Sequence, residues 1–180
     1  MRLLALVSLV AVGASVTAGC ADDKAMPTGV ETVAVPLFSS SGTEGKNLRT
    51  HLTGDEEVPP NDSRAQGQAI FQVNGDGTAV RYKLIVANIQ NVTQAHIHVG
   101  PAGGTGGIVA WLYPSAPPLQ LIPGRSQGVL GQGVITDADV VGGLAGTGVA
   151  GLLAEIRAGN TYVNVHTNQV PAGEIRGQID

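Results

Sequence analysis

Aromatic side chains, cysteine and charge are all scarce in this chain of 180 residues: 3% is aromatic, 13% is charged and a single cysteine is present. One cysteine closes no internal disulfide and builds no CxxC-type metal cluster. The 10 basic and 14 acidic residues, net −4, are scattered along the chain. No basic stripe is therefore available to displace counterions from phosphates, which excludes nucleic acid as an expected partner. The Gly-X-Y period of collagen is missing too. What is abundant is glycine, 26 residues, together with 10 prolines and 43% hydrophobic residues. That glycine content is roughly twice the usual ~7%. One domain of many short segments separated by turns fits this composition, and such a domain is expected to be all-β.

The first 20 residues read as an export signal. Met1-Arg2 gives a positive start, Leu3 to Val16 is an apolar and small-residue run, and Thr17-Ala18-Gly19-Cys20 follows. The run is shorter than the ~20 residues of a membrane span. The four residues ending at Cys20 resemble a bacterial lipobox, although Thr17 stands where an aliphatic residue is usual. Lipidation of Cys20 would hold the protein on a membrane without a spanning helix. Ala21 is not the aspartate of an inner-membrane retention signal. The expected location is the cell envelope, at the outer membrane or cell surface, or else periplasmic or secreted. Residues 21–46 are small, polar and turn-forming, as a flexible tether would be. Within them Val33 to Phe38 could add an edge strand, against which Pro36 argues.

From residue 47 onward, apolar and polar residues alternate. Ala69–Asn74 and Ala79–Asn88 flank Gly75-Asp76-Gly77-Thr78, a hairpin signal because Asp-Gly tolerates positive φ. Further strands are expected at Leu48–Gly54, Gln94–Val99, Ile108–Tyr113, Gly128–Ile135, Tyr162–Thr167 and Glu174–Ile179. About eight strands imply a Greek-key sandwich or barrel. Thr136-Asp137-Ala138-Asp139 reads as a helix start, and Val149–Arg157 carries apolar residues at helical spacing before Gly159. One or two short helices should therefore precede the penultimate strand.

Two strand motifs hold three of the four histidines: Ala95-His96-Ile97-His98-Val99 and Tyr162-Val163-Asn164-Val165-His166. Residues i and i+2 of a strand share a face, so His96 and His98 point together, as do Tyr162, Asn164 and His166. Glu174, Arg176 and Gln178 form a third polar stripe. If these strands are neighbours, the stripes merge into one patch. His96 and His98, with His166 as a third ligand, could hold copper or zinc with an open position. The same imidazoles could instead bond to covering loops and to Asn164 or Glu174, with Arg176 paired to Glu174 or to a neighbouring strand. Both readings stay open from sequence.

The loop Gly100–Gly107 is glycine-rich but lacks the Gly-Lys-Ser/Thr ending and following helix of a phosphate cradle, so it reads as a wide turn. No nucleophile motif is present, and Asp55-Glu56-Glu57 sits beside Val58-Pro59-Pro60 in an expected exposed loop. No catalytic residue is assigned.

Leu52-Thr53-Gly54, Glu57-Val58-Pro59-Pro60, Gly67-Gln68-Ala69, Ala95–Gly100, Tyr162–Thr167 and Pro171–Ile179 together resemble the CHRD domain, over residues 47–180. This module is repeated in the animal protein chordin and found singly in bacterial envelope proteins. The resemblance implies an extracytoplasmic all-β domain and transfers no catalytic residue; the expected role is non-enzymatic, binding or scaffolding another envelope protein or a small ligand. The growth-factor partner associated with chordin does not carry over to bacteria. A weaker similarity runs to copper/zinc superoxide dismutase, onto whose copper ligands His96, His98 and His166 would map. The chain departs from that pattern: it has no bridging histidine, no zinc-loop ligands and no paired cysteines, and His51 is the only histidine left over.

Overall fold

Alternation of buried and exposed residues builds the described part of the chain, residues 47–180 of a computed structural model, into seven strands. The expected signal, the Cys20 lipidation site, the tether and the strand over 33–38 lie outside the described residues.

Strand β1 (Asn47–Thr53) pairs antiparallel with β2 (Gln66–Val73), and β2 pairs with the first half of β3 (Val80–Val99). The second half of β3 pairs with β6 (Thr161–Thr167), which pairs with β7 (Ile175–Gln178). A single bridge, Thr53 to Arg176, returns β7 to β1 and closes a barrel-like ring. Along the other edge of β3 lie β4 (Ile108–Tyr113) and β5 (Ile122–Ile135).

Inside the ring sit Leu52, Phe71, Leu84, Ile97, Val163, Val165 and Ile175, all fully buried. Each such aliphatic or aromatic side chain contributes about 1.5–3 kcal/mol by leaving water. The chain crosses from β5 to β6 through two 3-10 turns, Asp137–Asp139 and Gly142–Leu144, and the helix α1 (Gly148–Arg157). Val149, Leu152, Leu153 and Ile156 on α1 join the core. The helix starts where the Asp137 carboxylate accepts the free Val149 N–H at 2.7 Å, and ends before Gly159 at φ 72°.

Seven strands stand where the alternation suggested about eight, because the expected segments 79–88 and 94–99 are halves of one strand. Asn88 and Asn91 adopt φ of 58° and 50°, and the register with β5 shifts across each of them, between Val86 and Ile89 and between Gln90 and Val92. Asparagine tolerates this left-handed conformation better than most residues. The resulting bulges bend β3 without ending it, so one strand leaves β2 as its neighbour and takes up β6.

Candidate metal centre

Registers decide which polar stripes meet. His96 lies opposite Asn164 on β6 and opposite Trp111 on β4, while Asn164 lies opposite Arg176 on β7. His98 lies opposite Tyr162, and Tyr162 opposite Gln178. Their intervening neighbours Ile97, Val163 and Val165 fill the core, so the three polar stripes form one patch on the other face of the sheet.

That patch is roofed. All seven residues of β6 are buried, as are His96, His98 and Arg176. The turn after His98 supplies part of the cover. Arg176 donates to the carbonyls of Gly104 (2.6 Å) and Pro101 (3.2 Å), Gln178 donates to that of Gly100 (3.0 Å), and the Gly106 N–H donates to the Tyr162 hydroxyl (3.1 Å). Gly106 must be glycine, since a Cβ there would overlap the Val99 carbonyl. The guanidinium of Arg176 lies 3.5 Å from the Tyr162 ring centroid, and that ring stacks on His98 at 4.9 Å. Arg176 is thus spent on the roof and on Tyr162 rather than on an ion pair with Glu174.

Beneath this cover His96, His98 and His166 converge, with one ring nitrogen from each lying within 4.8 Å of the others. His98 Nδ1 meets the Gly106 carbonyl at 3.0 Å and His166 Nδ1 meets the Pro171 carbonyl at 2.9 Å. A carbonyl only accepts, so both rings carry their proton on Nδ1 and hold a lone pair on Nε2. His96 Nδ1 faces His166 Nε2 at 3.3 Å and therefore donates to it, which leaves the His96 lone pair on Nε2 as well. The Nε2 atoms of His96 and His98 are buried and have no hydrogen-bond partner. A native fold rarely leaves such atoms unpaired, because each costs about 1–3 kcal/mol.

Burial, reinforced by the neighbouring imidazoles, pushes His96 down to about 3. Burial likewise brings His98 down to about 4, against the Gly106 hydrogen bond, and lowers His166 against the Pro171 hydrogen bond. All three rings are neutral near pH 7, the form that binds metals. Back nitrogens tied to carbonyls fix ring tautomer and orientation, as in metal sites generally. A four-coordinate zinc with bonds of ~2.05 Å would set ligand nitrogens roughly 3.4 Å apart, so side-chain torsions must close the widest pair, up to 4.8 Å, by about 1.4 Å.

Other expected residues have different places. Glu174 accepts from Ser63 Oγ at 2.8 Å and Thr167 Oγ1 at 2.6 Å, tying the 61–63 loop to β6. Asn164 donates to Glu57 Oε1 at 2.7 Å. The imidazoles find their partners in loop carbonyls and in one another rather than in Asn164 or Glu174. The fourth histidine, His51, is exposed on β1. Asp55 and Glu56 are exposed as expected, but Glu57 folds inward and is 7% exposed. Burial lifts its carboxyl to about 7, against the Arg176 charge and the Asn164 hydrogen bond. Its position depends on Gly173, where a Cβ would collide with both Asn164 and Glu57. In sequence, the Val58-Pro59-Pro60 that follows masks Glu57, because it reads as surface loop.

The family model of the CHRD domain matches residues 48–179. The chain belongs to the CHRD domain family. The match begins in β1 and ends just after β7, so the histidine cluster and its roof are both part of the CHRD domain. No curated protein and no solved structure matches the chain.

Proposed function

We propose that this CHRD domain is a metal-binding module of the cell envelope, holding copper or zinc through His96, His98 and His166. The observation that carries the reading is the convergence of one ring nitrogen from each of three buried histidines to within 4.8 Å of one another, with the rings of His98 and His166 held from behind by loop carbonyls. An ion between the three rings would take one lone pair from each, and imidazole chemistry suits copper and zinc. The binding or scaffold role of the family then acquires a physical form: metal would pin the turn after His98 and the turn at Pro171 onto the barrel. The decisive measurement is metal content. Metal-free protein incubated with copper or zinc and desalted should retain one equivalent by mass spectrometry, and a His96→Ala/His98→Ala variant should retain none. Retention unchanged in that variant, or absent in the parent, defeats the reading.

The envelope location rests on the sequence of the first 20 residues. Lipid on Cys20 would anchor the domain to a membrane, with residues 21–46 as its tether. Cys20→Ser should move the protein to the soluble fraction, and membrane fractionation that persists in the variant refutes a lipid anchor as the cause.

A further inference from the structure

Charge and coordination number narrow the ion, given the metal reading above. The cluster offers three neutral imidazoles and no anion. None of the seven strands carries an aspartate or glutamate. Among the described residues, no fourth histidine, cysteine or carboxylate joins the three. Glu57, the buried carboxylate nearby in the fold, is engaged by Asn164. A permanent cation is built into the surroundings instead, since Arg176 packs on Tyr162 and Tyr162 stacks on His98.

A divalent ion in this place keeps its full charge in a buried setting whose three ligands are neutral and supply no counter-charge. Desolvation cost grows with the square of the charge, so a monovalent ion is penalised roughly a quarter as much. Coordination number points the same way. Zinc held by three protein ligands takes a water as its fourth, which the roof over this buried cluster would have to admit, whereas Cu(I), with a filled d shell, accepts a planar three-coordinate set. We propose that His96, His98 and His166 form a three-coordinate site selective for Cu(I) over Zn2+ and Cu2+.

Trp111 makes this measurable, because it is the one tryptophan of the chain and its ring lies 4.3 Å from that of His96. The full chain, freed of metal, is titrated with Cu(I) under anaerobic reducing conditions against a chromogenic Cu(I) chelator. Zn2+ and Cu2+ are titrated separately against chelators of their own, with Trp111 fluorescence as the common signal. One equivalent of Cu(I) should bind with a Kd at least about 100-fold below that for Zn2+, and His98→Ala should abolish it. Equal or tighter binding of Zn2+ or Cu2+ through the same histidines overturns the selectivity and leaves the metal reading standing. Failure of all three ions to bind in a histidine-dependent way overturns both. Should His98→Ala not fold, X-ray absorption of the Cu(I) complex decides: three nitrogen neighbours support the proposal, and four or more neighbours sink it.

Discussion

The two halves of β3 share an alternating pattern and differ in what lies over their outer face. In the first half Tyr82 and Leu84 point inward, while Arg81 and Lys83 are exposed beside Gln72 and Gln132 on the neighbouring strands. In the second half Ile97 points inward, yet His96 and His98 on the outer face are buried too. Water solvates the first polar stripe. Loops cover the second, so each of its polar atoms must find a partner in protein or in a ligand. The same alternation therefore makes an ordinary surface in one place and a site in the other, and the difference is the roof.

Removing the roof should have the largest effect. Gly106→Ala forces a Cβ into the Val99 carbonyl and displaces the carbonyl that holds His98. A loss of about 3 kcal/mol or more is expected by chemical denaturation, as for other backbone clashes in packed regions. Gly75→Ala, in the open hairpin before the first half of β3, meets no atom and should change little. Equal stabilities for the two variants would erase the contrast.

Next comes the cluster itself. His166→Ala in metal-free buffer strips partners from the Pro171 carbonyl and from His96, and should cost about 1–3 kcal/mol. Lys83→Ala, on the open half, should stay within about 0.5 kcal/mol. A thermal midpoint unmoved by His166→Ala would mean that the roofed side chains add nothing to the metal-free fold.

Acid should separate the halves further. The three histidines titrate lower in the fold than the ordinary 6.5, so below that value the unfolded chain takes up protons first. Metal-free stability should hold above about pH 6.5 and fall as pH drops toward the folded values of about 4 and about 3. The His96→Ala/His98→Ala variant should flatten that slope, and an unchanged slope would assign it elsewhere.

The smallest expected effect has the opposite sign. Glu57 titrates higher in the fold, about 7 against 4.5, so its contribution is fully present below pH 4.5 and is lost as pH rises through 7. Glu57→Gln keeps an acceptor for Asn164 without the buried charge. Stability should rise at pH 8 and stay nearly level at pH 4, and a variant weaker at pH 8 would show that the ionised carboxylate is needed.

Much of the site was legible because a strand's period is two. His96 with His98, and Asn164 with His166, share faces by counting alone, and only the pairing of β3 with β6 was needed to join them. Glu57 was not legible, since its inward turn depends on Gly173, more than a hundred residues away. The role of Arg176 was hidden for a similar reason, as its partners are carbonyls of a turn and carry no side-chain signature. The alternation ends one expected strand at Asn88 and starts the next at Gln94, because local preference does not say whether a left-handed residue ends pairing or bends it.

The sequence alone determined the all-β class, the place of the helix, the hairpin at residues 75–78 and the family, all of which follow from local periodicity, turn chemistry and ordered motifs. Tertiary structure decided that the polar face of β3 and β6 is covered, which nitrogens of the imidazoles are left without partners, and that the cluster contains no carboxylate. Those properties depend on which loops close over which strands, and contacts across so long a separation in the chain leave no period in the sequence to read.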